Sequence, residues 1–568
     1  MRGGSWFLLS GGIIFLVILY SLVMSSPGVR GWSLVASAFV LAVVATGLGV
    51  LALLFGRWLC RWRNLRRVLF ILACLVTLIA LAYAEENWRG RRAWQRHRQE
   101  CEAKGEKFSL AALAPPPVPD EKNFALTPLL KSALDFVHVQ GSEGLVWPDS
   151  NAMARLNNMS AELRPQPSRR TNDHLVLGNL EKGTFADLSA CAEFYRGNTN
   201  YPQAAETVSA PERILFALGR FDSELKELRE AAASRPYGRF PIRYDEEPPW
   251  AILLPHLAHI KALTILTCVR ATAELEFGRS ADALQDLKVG FRLSDCIHEE
   301  PILIDHLVRL STLEIDLQTV REGLLRHAWN DAQLATIETN LASLNFLAEY
   351  KLALSGERAC STDGIDFMRR QGFRSDPLAY VYEEGNAPHF SPGFNPFPSG
   401  WFYQNMLTVS REFETHNLPA ADERARRVFP EISDNGGRAV EQMRLNPYTF
   451  LARILLPAVH RAVQRSARTQ AYVDSTRVAC ALEHYRIANG TIPDTLDALV
   501  PRFIASIPKD VIDGKPLRFR RRADDDYLLY SVGWNQTDDG GELTWVKKGK
   551  ETSIDFTKGD WVWKMSAR

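Results

Sequence analysis

Three apolar runs open the chain, at 6–24 (WFLLSGGIIFLVILYSLVM), 32–55 and 68–84 (VLFILACLVTLIALAYA). The first two reach the roughly 20 residues that a helix needs to cross a bilayer core, and the third sits at the lower limit. The pattern predicts three transmembrane helices within an anchor covering 1–90. A cleavable signal peptide fits less well, because two further runs follow the first and the small-residue cleavage pattern is poor. Arg57, Arg61, Arg63, Arg66 and Arg67 lie between the second and third runs. The positive-inside rule then places that loop in the cytoplasm and everything after the third run outside the cytoplasmic membrane. Arg89, Arg91, Arg92, Arg96 and Arg98 weigh against this, in a segment that reads as a helix on the headgroups or a solvated juxtamembrane helix.

Beyond the anchor the period becomes helical. A juxtamembrane segment and the proline-rich spacer LAPPPVPDE (91–121) lead to a predicted α-helical domain at 122–445. Its clearest part places Leu266, Val269, Ala273 and Phe277 on one helix face, stops at Gly278, and resumes with Leu284, Leu287 and Phe291. The turn ELEFGRSADAL between them resembles a tetratricopeptide hairpin. A third helix follows Pro301 with Leu303, Leu307, Leu310, Leu313 and Leu317. At 377–403 five prolines forbid a long helix, while Phe390, Phe394, Phe397, Trp401, Phe402 and Tyr403 make the segment too apolar for a linker.

In the last part, 446–568, a long helix is predicted from Asn446, with Val459, Val463, Ala467, Ala471, Val478, Leu482 and Tyr485 as its buried stripe. Asn489-Gly490 and Pro493 end it, and Asp494 or Thr495 can cap a short helix through Leu499. PLRFRR and DYLLYSVG read as strands, WNQTDDGGE as an acidic loop, and GDWVWKM as a final strand. The fold class is thus mainly α, with a small antiparallel sheet at the C-terminal end.

Composition narrows the function classes. The 568 residues carry 67 basic and 66 acidic side chains, a net charge of +1, with no basic stripe of the kind a nucleic-acid partner needs. The eight cysteines form no CxxC and read as small buried hydrophobes, not as a zinc or disulfide framework. No GxSxG, HExxH, GxxxxGK[ST] or GxGxxG is present. The nearest approaches to acid–base groups are HEEP at His298, the Asp305-His306 pair, and His256 with His259, three apart on a helix and able to share a metal but lacking a visible third ligand.

The order ALEHYRIANGTIP, LDALVPRFIASIPKD, DGKPLRFRR, YLLYSVGWNQTDDGG resembles the globular part of type II secretion pseudopilins, above all the major pseudopilin. The whole chain resembles large membrane proteins of planctomycete and verrucomicrobial type, in which such a unit follows a helical domain. The first resemblance implies a long helix carrying a small sheet, and a calcium site in the acidic loop. The matching positions are Asp538, Asp539 and Glu542, with Asp555 as a later ligand. It departs from the family in the internal, charged start FLARILLPAVHRAVQRS, too short to span a bilayer. Together these readings lead to a multi-pass protein of the cytoplasmic membrane, non-enzymatic, in contact with the lipid bilayer and docking other envelope proteins, with a link to type II secretion-like or surface machinery. The alternative is a membrane-tethered hydrolase or ligand-binding protein with its site under 377–403.

Overall fold

The computed structural model of the protein describes residues 16–18, 20, 32–59, 61–138, 145–160, 177–371, 397–522, 526–548 and 551–564. Its contacts group the chain into two compact units, Met1–Trp88 and Arg89–Arg568.

The first unit holds α1 (Trp32–Leu59) and the first part of α2 (Trp62–Ala103). Among the described residues α2 is the one helix long and apolar enough to cross a membrane, and Phe70, Ile71, Leu78 and Leu81 on it are exposed. The described apolar stretch of α1, Ala36–Leu51, falls short of the roughly 20 residues a span requires. The expected span at 6–24 lies outside the described residues apart from 16–18 and 20. The expectation of three spans is therefore corrected to one candidate span.

The second unit is mainly helical. It begins inside α2, because Trp94, His97 and Cys101 recur on one helix face and are buried, while the arginines at 91, 92, 96 and 98 take other faces. Gly90 makes this approach possible, since a Cβ there would stand 2.6 Å from the Gly400 carbonyl oxygen. The segment expected on headgroups or in solvent thus packs into the body.

After two single-turn helices, Leu110–Leu113 and Pro128–Lys131, longer ones follow: α3 (Ser150–Ser160), α4 (Leu188–Tyr195), α5 (Ala210–Leu218) and α6 (Asp222–Ser234). With the first face of α7 (His256–Glu276) they enclose a core that includes Phe124, Leu156, Ile214, Leu225, Leu263 and Leu266. The predicted turn closes α7 onto α8 (Ser280–Asp295), with Gly278 at φ +69°, a conformation that glycine adopts without a Cβ penalty. Phe277, expected on the buried stripe, caps α7 and is exposed. Ala271 and Leu275 on α7, with Leu284, Leu287 and Phe291 on α8, face a second core. The hairpin is therefore the wall between two cores, which is why its residues are buried nearly all round.

The second core is completed by α9 (Leu303–Leu325), α10 (Asp331–Ala342), α11 (Phe346–Gln371), α12 (Ser399–Glu412), α13 (Pro430–Gln442), α14 (Phe450–Leu455) and α15 (His460–Asn489). The single long helix expected from Asn446 is divided. Pro457 cannot donate to the helical ladder, a 3₁₀ turn Leu456–Ala458 takes its place, and α15 starts afresh at His460. Val459, Val463, Ala467, Ala471, Val478 and Leu482 form the buried stripe as expected, and α15 ends on Gly490 at φ +79°. The short element through Leu499 is a 3₁₀ helix whose leading residue, Thr495, makes no side-chain cap.

A three-stranded antiparallel sheet packs on α15, in the order β1 (Arg518–Arg521), β2 (Tyr527–Ser531), β5 (Trp561–Lys564). Leu529 pairs with Trp563, whose ring stacks on Tyr527 at 5.8 Å between centroids. Between β2 and β5 the chain makes a separate hairpin, β3 (Leu543–Lys548) with β4 (Glu551–Gly559). The sequence pattern above assigns no element to 543–559.

Candidate functional site

The acidic loop is organised by a residue the sequence reading did not select. Asp560, buried between β4 and β5, accepts hydrogen bonds from the Asp539 N–H at 3.3 Å and the Gly541 N–H at 2.6 Å. Its own N–H donates to the Glu542 carbonyl at 2.9 Å. Burial pushes the Asp560 carboxyl up to about 6 despite the two amide donors. The four expected calcium ligands are spread around this frame. Asp538 Oδ1 accepts from the Tyr530 hydroxyl at 3.1 Å, and its Oδ2 lies 3.7 Å from Arg518 Nε. Asp539 Oδ2 accepts from the Asn535 amide at 2.9 Å, and Glu542 is exposed. Asp555 stands on β4, accepting from the Thr557 hydroxyl at 2.6 Å. Among the described residues, none of the four belongs to a group of three or more His, Cys, Asp or Glu side chains whose ligand atoms converge. The hairpin β3–β4, inserted between Glu542 and Asp555, is the reason they part.

A groove of about 1160 Å³ lies between α13, the start of α15 and the β3–β4 hairpin. Asp434, Arg438, Arg453 and Arg461 line it together with apolar Val546 and Phe556. The Trp534 indole N–H donates to Asp434 at 3.0 Å and ties the strand side of the groove to α13. Of the 377–403 segment, the part from 397 on is described. There Phe402 enters the core, and Phe397 meets Trp401 ring to ring at 5.6 Å. Phe390 and Phe394 lie outside the described residues.

Two clusters bring potential ligand atoms within 4.8 Å of one another among the described residues. In one, every side chain is bonded. Cys101 Sγ donates to Glu414 Oε1 at 2.9 Å, His97 Nε2 meets Ser410 Oγ at 2.9 Å, and Lys104 Nζ stands 3.7 Å from Glu414.

The other cluster is His256, Glu300 and Asp305, which come from three separate segments. His256 is the first residue of α7, Glu300 lies in the connection after α8, and Asp305 is in the first turn of α9. All three are buried, at 0 %, 3 % and 0 % exposure. His256 Nε2 stands 3.5 Å from Glu300 Oε2. With both carboxyls ionised, neither the imidazole nitrogens nor the four carboxylate oxygens have a hydrogen-bond partner, although the Glu300 and Asp305 carboxyls come close enough to bond if one holds a proton, and the buried Tyr244 hydroxyl has no partner either. A buried polar atom without a partner costs about 1–3 kcal/mol, and more when charged, so this concentration needs a compensating ligand or proton. Asp305 stands in the first turn of α9, where the helix N-terminus favours a carboxylate, yet neither of its oxygens receives a hydrogen bond. Burial, reinforced by the facing Glu300, pushes Asp305 up to about 10, and burial pushes Glu300 up to about 8. Burial also holds His256 down at about 4, so the imidazole is neutral and free to offer a lone pair. The Phe240 ring covers the imidazole at 4.5 Å between centroids.

The supports are equally specific. The Arg239 Nη2 pairs with Glu299, leaving Nε and Nη1 buried without partners. A Cβ on Gly238 would meet Cys296 Sγ at 2.7 Å, and one on Gly356 of α11 would stand 1.6 Å from the Pro301 carbonyl oxygen. Glycine at these two positions lets the flanking segments close on the cluster.

The sequence singles out all the relevant words but joins them wrongly. His259, paired there with His256, meets Ser160 Oγ at 2.8 Å. His298 of HEEP turns to the Asp295 carbonyl at 2.7 Å, and His306 meets Ser466 Oγ on α15 at 2.8 Å. It is Glu300 of HEEP and Asp305, the neighbour of His306, that reach His256. Arg239 and Tyr244 carry no spacing signal at all. Set against protein-family models, curated proteins and solved structures, the chain matches none.

Proposed function

We propose that the protein is a membrane-anchored docking protein of the cell envelope. Its body lies outside the cytoplasmic membrane and receives a protein partner in the groove between α13, the start of α15 and the β3–β4 hairpin. The groove is the observation that supports this most directly. Its volume of about 1160 Å³ exceeds the roughly 300–1,000 Å³ of small-molecule pockets. Its lining mixes three arginines, the acids Asp434, Glu441 and Asp555, and apolar side chains, which suits a peptide segment better than a compact substrate. Strands β3 and β4 pair with each other alone among the described residues, so each keeps an outer edge to which an extended segment can add. The similarity of the helix-and-sheet order to major pseudopilins makes a component of type II secretion-like machinery the first partner to seek.

Crosslinking from one face of the membrane tests site and side together. Arg461→Cys places an exposed thiol in the groove, and Lys226→Cys places one on α6 as a control. Intact cells making the full chain are treated with a membrane-impermeant thiol–amine crosslinker. A discrete adduct of higher mass is expected from the Arg461 variant and none from the Lys226 variant. Equal adducts from both, or none from Arg461 with impermeant and permeant reagents alike, would remove the docking reading. An adduct formed with the permeant reagent alone would reverse the assigned side.

A further inference from the structure

We propose that His256, Glu300 and Asp305 hold a divalent first-row transition-metal ion that fastens the open end of the α7–α8 hairpin to α9. The geometry is that of a donor set without its acceptor. Three side chains, each more than nine-tenths buried, aim an imidazole and two carboxylates at one another, and their contacts are with each other, with no donor from outside the cluster. The 3.5 Å between His256 Nε2 and Glu300 Oε2 is about the edge of a tetrahedron of ligands standing roughly 2.0–2.2 Å from a shared ion.

Charge points the same way. Arg239, the guanidinium that acts on Glu300, is already paired through Nη2 with Glu299. One guanidinium thus serves Glu299 and Glu300 together, which leaves the charge of the two cluster carboxylates only partly met, and a divalent ion balances the rest. A proton shared between Glu300 and Asp305 is the competing arrangement, but it leaves both imidazole nitrogens of His256 buried and unpartnered. An ion takes Nε2 as well as the carboxylates.

The donor set also selects the ion class. One imidazole with two carboxylates suits zinc, manganese or iron(II). Calcium, which wants about six to eight oxygen ligands, is not served by a site built around an imidazole. The buried Tyr244 hydroxyl, itself without a partner, stands within electrostatic reach of both carboxylates. Enclosure on this scale makes the ion a structural one, taken up as the chain folds. It would sit where the wall between the two cores meets α9, joining segments far apart in sequence.

The full chain purified in detergent is analysed for metal by plasma mass spectrometry after dialysis, and again after chelation and reloading with zinc, manganese or iron(II). About one equivalent per chain is expected to be retained or regained, with a rise in the thermal midpoint on reloading. Glu300→Gln and His256→Gln are each expected to lower the bound metal by about tenfold or more, and Cys101→Ser to leave it unchanged. Wild-type chain that takes up none of the three ions while folded by circular dichroism overturns the proposal, even if the variants fail to fold. So does metal lost from Cys101→Ser but kept in Glu300→Gln. A Glu300→Gln chain more stable than wild type in every metal condition would show that the carboxylates share a proton instead.

Discussion

Two acidic regions of this molecule, built from the same side chains, meet opposite fates. The loop at 538–542 sets three carboxylates within five residues, and the fold spreads them toward separate partners: Tyr530 and Arg518, Asn535, and solvent. The cluster at His256, Glu300 and Asp305 gathers two carboxylates and an imidazole from three segments and gives none of them a hydrogen-bond donor from outside the cluster. Carboxylates close in sequence repel one another and stay hydrated, so a run of acids marks a surface turn more reliably than a ligand set. Ligand sets form where packing forces distant polar groups into a dry place, and the mark of this is burial without a hydrogen bond.

The comparison fails if the cluster's frame is soft, because Glu300 could then leave for solvent. Gly356→Ala tests the frame and has the largest expected effect. Its new Cβ would lie 1.6 Å from the Pro301 oxygen, one residue from Glu300, with backbone on both sides of the contact. A loss of about 3 kcal/mol or more in urea unfolding is expected, at the upper end for overpacking. Gly437→Ala in α13 meets nothing within 4 Å and should gain about 0.5–1 kcal/mol through helix propensity. Equal stabilities for the two variants would show that the segment carrying Glu300 is not held.

Much of the fold was legible because its signals are local. Gly278 and Gly490 announce turns that need a positive φ, and both supply one. The stripe from Val459 to Leu482 and the strands around Phe519, Leu529 and Val562 follow from period alone. What stayed hidden depends on tertiary contact. Trp94, His97 and Cys101 sit among arginines, and only the close approach of Gly90 to Gly400 shows that this face packs. The β3–β4 hairpin was masked by its polar composition. Its apolar positions, Leu543, Trp545, Val546, Ile554 and Phe556, stand in short runs among lysines, threonines and acids, beside an acidic loop. The candidate cluster was named piece by piece, yet nothing in 256, 300 and 305 reveals a meeting that depends on where α7, α8 and α9 end.

Asp560 sharpens the comparison from the loop's side, because it too is a buried carboxyl, but one with donors. Its ordinary value of 3.8 is raised to about 6 in the fold by burial. Between those values the folded chain holds a proton that the unfolded chain has released. The stability this group contributes is therefore fully present below about pH 3.8 and is lost as pH rises through about 6. Asp560→Asn removes the titration. From pH 4 to 7, urea midpoints should show wild type losing on the order of 1–3 kcal/mol relative to the variant. A wild-type advantage that grows with pH would mean that the amides of Asp539 and Gly541 outweigh burial.

The smallest effects belong to the loop itself. Asp538 and Asp539 are exposed side chains, the first meeting Tyr530, the Gly540 N–H and, at 3.7 Å, Arg518, the second meeting Asn535, so Asp538→Asn and Asp539→Asn should each change stability by less than about 0.5 kcal/mol. Calcium has little to bind there as the loop stands: it needs about six to eight oxygens, and Asp555 is committed to Thr557 on a strand of its own. Thermal unfolding in millimolar calcium should match that in chelator, whereas a site at one hundredth of the free calcium concentration in Kd would add about 2.7 kcal/mol. A shift of that size, abolished by Asp538→Asn, would mean that the ion itself draws the four carboxylates together. The contrast between a dispersed loop and a convergent core cluster would then describe the loop's ion-free state alone.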